Sequence, residues 1–239
     1  MAKGISESEW IKLIQESPKS LIASNSKLAK SNIYQFSLPA FAASVVKNGK
    51  LITMKTCPAA GACGKYCYSS QGAYLFNTSM VAHTRNLNLY LTDKNSFKSK
   101  LIEQIGFVKN LKAFRIHDSA DFFNREYTET WFEIMKALPH IQFYAYTKQV
   151  LMFNSLRHLA RIPKNFTYIF SYGGKLDGHI KPEVDRHSKV FSSFEEMTDA
   201  GYSDTTETDD NAADPSIIKI GLVYHGKKKF SRNVAKDAA

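Results

Sequence analysis

Cysteine is scarce: three residues in a chain of 239, an odd number and too few for a disulfide framework. No apolar stretch is long enough for a membrane-spanning helix. Met1 is followed by Ala-Lys-Gly-Ile-Ser-Glu-Ser-Glu, with no apolar run, so no signal peptide is expected. Internal repeats and low-complexity tracts are missing as well. Together these absences predict a single α/β domain over residues 1–239, cytoplasmic and without a membrane partner. Aromatics, by contrast, are plentiful: 16 Phe and 12 Tyr exclude a disordered chain.

Charge is unevenly spread. The formal net charge is +10, yet eight acids and no Lys or Arg lie between Glu195 and Asp214. The rest of the chain holds all 32 basic residues against 14 acids, a balance of +18. Such a body attracts phosphates over long range, so an anionic small molecule or nucleic acid is the expected partner. The plainer alternative is a basic protein that binds nothing in particular. The stretch from about 198 to 215 is polar and aperiodic, which predicts a long acidic surface excursion.

Hydrophobic periodicity orders the remainder. Trp10, Leu13 and Ile14 predict a first helix capped by Ser6 or Ser8, and Ser44–Met54 predicts a hairpin turning at Asn48-Gly49. Helices are expected around Met80–Leu91 and Phe97–Val108. Strands are expected at Ala113–Ile116, Gln142–Thr147, Phe166–Ser171, Lys189–Phe191 and Ile217–Tyr224. Between the first two of these, Asn124 caps a helix whose apolar face is Tyr127, Trp131, Ile134, Met135 and Leu138. Between the next two lies a helix through Val150, Phe153, Leu156 and Ala160. The βα rhythm predicts a partial or irregular β/α barrel, or alternatively an open, mostly parallel sheet, with the cysteine-rich loop capping one end.

All three cysteines fall in one short loop, Cys57-Pro-Ala-Ala-Gly-Ala-Cys63-Gly-Lys-Tyr-Cys67. Small residues let the chain wrap closely, so that thiolates converge and backbone amides reach the sulfides of a bound cluster. Structural zinc wants four ligands in two short-spaced pairs, and no second pair exists. Three thiolates suffice for a four-iron, four-sulfur cluster with one iron open or held by another group. Zinc, small core thiols, or one disulfide with a free thiol are the alternatives. The segment Cys63-Gly-Lys-Tyr-Cys67 resembles the cluster loop of radical S-adenosylmethionine enzymes, though the intervals here are five and three residues where that family has three and two. That resemblance implies a partial barrel, enzyme activity and S-adenosylmethionine as a ligand of the open iron.

A second resemblance spans roughly Ile33 to Ser171. It rests on Tyr34-Gln-Phe-Ser-Leu-Pro39, the Cys57–Tyr68 loop, Arg115-Ile-His-Asp-Ser-Ala-Asp-Phe122, Trp131 with Phe132, and Phe143-Tyr-Ala-Tyr-Thr147. In these features the chain is similar to the phage and plasmid family built around gene product 88. The resemblance implies a mobile-element origin, with the host cytoplasm as its setting, and supplies no reaction.

In parallel α/β folds ligands collect beyond the carboxyl ends of the strands. His117, Asp118, Ser119 and Asp121 follow the first clear strand; Thr147 and Lys148 the second; Ser171 to Gly174 the third; His225 the last. His117, Asp118 and Asp121 are the expected catalytic groups, as fourth cluster ligand, proton donor or substrate clamp. The alternative makes the acids turn formers and His117 a hydrogen-bonded core histidine. The expected function is a phage-type iron–sulfur protein, enzymatic on an anionic substrate if the iron is open. The competing expectation is a nucleic-acid-binding protein of phage replication or host takeover, with a structural zinc or cluster.

Overall fold

The computed structural model describes residues 2–224. His225 and the basic stretch from Lys227 lie outside the described residues.

Helix α1 (Glu7–Gln15) starts where Ser6 accepts a hydrogen bond from the Glu9 amide, and it buries Trp10 and Ile14. Short β1 (Ile22–Ala23) and α2 (Ser26–Ala29) lead into β2 (Ile33–Phe36). The hairpin β3 (Ala42–Lys47) and β4 (Lys50–Lys55) turns at Asn48 and Gly49, both at positive φ (50° and 72°). Asn-Gly is the pair that tolerates this turn, whose twist matches the flanking strands. Three 3₁₀ turns then carry the chain through the cysteine loop to α3 (Asn77–Thr92) and α4 (Lys94–Gly106).

A regular alternation follows: β5 (Ala113–Ile116), α5 (Arg125–Ala137), β6 (Phe143–Thr147), α6 (Val150–His158), β7 (Phe166–Ser171) and β8 (His187–Phe191). The chain closes with α7 (Phe194–Asp199), β9 (Ser203–Asp204), α8 (Asp210–Ala213) and β10 (Lys219–Val223). As expected, Asn124 caps α5, its side chain accepting from the Tyr127 amide.

Eight strands form one sheet in the order β1-β2-β5-β6-β7-β8-β10-β9, parallel except for β1. The sheet ends at β1 on one side and β9 on the other, with no pairing between them. A closed barrel is therefore not formed, and the open, mostly parallel sheet is the architecture. From β2 through β5, β6, β7 and β8 to β10, each strand is added on the same side of the last. That winding sends the crossover helices to one face.

Strand alternation explains the two faces. Phe114, Ile116, Phe143 and Phe170 point to the helical side and pack with Phe97, Tyr127, Trp131 and Phe153 in the main core. Helix α7 packs there too, Met197 filling the space that a Cβ at Gly221 would take. On the opposite face, Ile33, Ala113, Tyr144, Ile169 and Ile220 are covered by Leu28 of α2 and by Ala212 and Ala213 of α8. These two helices are only four residues each. They leave the part of that face toward the strands' carboxyl ends uncovered.

The region from 198 to 215 departs from expectation. It is structured: it contains β9 and α8 and buries Thr205, Asp209, Ala212 and Ala213, while Asp199, Glu207 and Asp214 stay at the surface. The reason is electrostatic. Asp209, Glu207 and Asp210 are bound to Lys27, Lys30, Lys112 and Arg115, which draws the acidic segment onto the sheet. Among the described residues no helix is long and apolar enough to cross a membrane.

Candidate functional site

The uncovered part of the second face is a cavity of about 540 Å³, within the usual range for a small-molecule site. Its floor is the carboxyl ends of β5 to β8 and β10; its walls are the cysteine loop and the acidic segment.

The cysteine loop is tied down at both ends. The Phe41 carbonyl accepts from the Thr56 amide at 2.8 Å, and the Thr56 carbonyl from the Asp121 amide at 3.1 Å. At its other side Cys63 N–H donates to Gly173 O at 2.9 Å and Lys175 N–H to Ala59 O at 2.9 Å. Asp177 fixes this turn, accepting from the amides of Gly173 and Gly174 at 2.7 and 2.9 Å. Gly173 has φ +95°, and a Cβ there would stand 2.7 Å from the Tyr66 hydroxyl and 3.1 Å from Cys63 Cβ. Only glycine permits so close an approach of loop and strand end.

Cys57, Cys63 and Cys67 are all free thiols, half-buried, and all line the cavity. The Phe41 amide donates to Cys57 Sγ at 3.3 Å, and Cys67 Sγ lies 3.0 Å from Ser69 Oγ. Burial, reinforced by the Asp121 carboxylate, pushes the Cys57 thiol up to about 12. Burial raises Cys63 as well, against the lowering effect of the Lys148 ammonium. Among the described residues no group of three or more His, Cys, Asp or Glu side chains stands together as a single-ion site. The thiols thus share a cavity wall without meeting at one point.

His117, Asp118 and Asp121 turn three different ways. His117, at φ 63°, is buried in the aromatic core, its ring centroid 4.7 Å from that of Phe122 and stacked on Tyr127. Its Nε2 is 2.8 Å from the Tyr127 hydroxyl. Burial, with Arg115 adding to it, lowers His117 to about 3, so the ring is neutral at ordinary pH. This is the environment of a packed core histidine. Asp121 is buried and saturated: it accepts from the Thr147 hydroxyl and the Phe122 amide at 2.7 Å each and from the Lys148 amide at 2.8 Å. Burial outweighs those bonds and raises its carboxyl to about 6. Asp118 receives the Tyr74 hydroxyl on Oδ2, while Tyr68 donates to its backbone carbonyl.

Arg115 and Asp209 are site residues that the sequence did not single out as a pair. Arg115 Nη1 lies 2.9 Å from Asp209 Oδ2, and the guanidinium sits over the Tyr146 ring at 5.1 Å. Lys27 Nζ reaches Asp209 Oδ1 at 2.6 Å and Tyr144 donates to Oδ2 at 2.8 Å. Burial works against the Asp209 carboxylate, but Arg115 and Lys27 outweigh it and hold it below the usual range. An arginine facing inward from a strand needs a buried acid, and Asp209, distant in sequence, supplies it. Lys148, at the end of β6, donates from Nζ to Ser171 O, Ser171 Oγ and Tyr172 O at 2.9, 2.8 and 3.0 Å.

A mostly parallel α/β sheet thus carries a side-chain-lined cavity over the carboxyl ends of its strands, the place where ligands collect in such folds. The model of the family described as gene product 88 matches residues 13–237, and the chain belongs to that family. The gene 88 protein of Mycobacterium phage L5 is 33% identical over 104 residues, or 39% of this chain and 43% of that protein. The gene 88 protein of Mycobacterium phage D29 is 32% identical over 104 residues, covering 39% and 42%. The matched stretch thus spans about two fifths of each curated relative. No solved structure matches. None of these relationships supports the more distant resemblance to radical S-adenosylmethionine enzymes.

Proposed function

We propose that this chain is an iron–sulfur protein in which Cys57, Cys63 and Cys67 hold one four-iron, four-sulfur cluster at the mouth of the strand-end cavity. The observation that carries the reading is the convergence of all three thiols, free and half-buried, on one cavity wall. No fourth cysteine exists, and the His117 ring is engaged in the core with Tyr127. The donor set therefore fits a cluster with one iron free of cysteine ligation.

Bound there, the cluster would supply a one-electron centre with an iron open to the cavity. The chain's own groups support it. The Phe41 amide donates to Cys57 Sγ, a bond that favours thiolate over thiol, and the Lys148 ammonium beside Cys63 acts in the same sense. Phe41 reaches that amide geometry at φ 61°, an unfavourable conformation for a bulky residue. The curated relatives are phage proteins, and a reducing host cytoplasm would keep the thiols unpaired.

The test is anaerobic purification followed by an absorption spectrum and iron, sulfide and zinc analysis. A brown protein with about four irons per chain is expected, and Cys63→Ser should lose both colour and iron. A colourless chain with one zinc, or one that stays metal-free after reconstitution, would overturn the reading.

A further inference from the structure

The net charge of the chain points to an anionic ligand, but the cavity does not. Among the described residues, each cation that lines it is already engaged. Arg115 Nη1 is on Asp209 at 2.9 Å and Lys27 Nζ on the same carboxylate at 2.6 Å. Lys148 Nζ is surrounded by three oxygens of Ser171 and Tyr172. Lys189 Nζ sits over the Tyr172 ring at 4.6 Å, its side chain alternating away from the cavity-side Ser188. A phosphate would have to displace one of these partners.

Asp118 is the reverse case. It lines the cavity yet is only 5% exposed, and Tyr74 occupies one of its oxygens. The other, Oδ1, has Arg115 Nη1 at 3.6 Å, beyond hydrogen-bond reach. A carboxylate oxygen at a strand end with its acceptor capacity unfilled is suited to a ligand that donates, as an acidic residue does toward ribose hydroxyls in other α/β folds. The ring of Tyr146, on the cavity face of β6, supplies apolar surface in the same cavity.

We propose that the cavity takes a nucleoside, an uncharged heteroaromatic ring carrying hydroxyl donors, in preference to a nucleotide, with Asp118 Oδ1 accepting from the sugar hydroxyls. This names a ligand class for the same cavity and so rests on the reading above as to where the site lies, but not on iron being bound. The cavity volume accommodates a ligand of this size.

Isothermal titration of the full chain, before and after iron reconstitution, would use adenosine, guanosine, cytidine and uridine against their 5′-monophosphates. At least one nucleoside should bind, with its monophosphate at least tenfold weaker. Asp118→Asn should weaken the nucleoside by about tenfold, the value of one hydrogen bond to a charged group. Tyr146→Ala should weaken it as well, which keeps the test open if the Asp118 variant has a lowered melting temperature. The proposal is overturned if a monophosphate binds as tightly as its nucleoside, if no nucleoside binds in either form, or if a folded Asp118→Asn chain binds unchanged. Nucleoside binding without iron would remove only the cluster; four irons without nucleoside binding would remove only this inference.

Discussion

Arg115 and Asp209 lie 94 residues apart in sequence and 2.9 Å apart in the structure, joining the middle of the sheet to the acidic segment. Lys27 of α2 completes the junction on the other carboxylate oxygen. Removing Asp209 would leave the buried Arg115 with only the more distant Asp118, at 3.6 Å, and Lys27 without its partner. Asp209→Ala is therefore expected to cost about 3–5 kcal/mol in urea unfolding, the usual penalty for breaking a buried pair. Replacing both members together, Arg115→Met with Asp209→Leu, should recover much of that loss. Equal losses in the single and double variants would show that the ion pair is not what holds the segment down.

Gly173 sets how closely the cysteine loop approaches the end of β7. Gly173→Ala must relieve a φ of +95° and a contact with Tyr66, and is expected to cost about 1–2 kcal/mol. Because the next neighbour is Cys63, whose Cβ would stand 3.1 Å away, iron per chain after anaerobic reconstitution should fall as well. Full iron loading in this variant would argue that Cys63 needs no fixed position.

Ala120 stands at φ 78° between two buried acids, a conformation an alanine adopts only under constraint. Ala120→Gly removes that steric cost but adds freedom to the unfolded chain, so a net gain of up to about 1 kcal/mol is expected. Chemical denaturation would measure it, and a clear loss of stability would mean the alanine methyl packs more than it strains.

Two of the buried titratable groups beside the cavity act oppositely on acid stability. His117 is lowered from 6.5 to about 3, chiefly by burial. Between those values the unfolded chain binds a proton that the native chain does not, so stability present above pH 6.5 is withdrawn as pH falls. Asp121, raised from 3.8 to about 6, binds its proton in the native state first and favours that state on acidification through this narrower window. His117 has the wider window and should dominate. From pH 7 to pH 4, His117→Gln is expected to lose less stability than the unaltered chain, by on the order of 2–4 kcal/mol. Parallel stability curves for the two proteins would contradict the buried neutral imidazole.

The sequence by itself determined the local order of this protein. Side-chain periodicity and capping chemistry act within a few residues, so the Asn48-Gly49 hairpin, the Asn124-capped helix and strands β5, β6, β7 and β10 were legible from the chain alone. So was the clustering of Cys57, Cys63 and Cys67, and with Arg115–Phe122 it carried the family relationship. Tertiary structure decided the rest, because the deciding forces act between residues distant in sequence. Strand order made the sheet open, since nothing in a βα rhythm says whether its ends meet. Long-range ion pairs turned an acidic stretch into a cavity wall. The left-handed turn at His117 sent its ring into the aromatic core while Asp118 stayed at the cavity. One residue's step in a tight loop reverses which side of the sheet a group faces, and only packing on both sides selects between them.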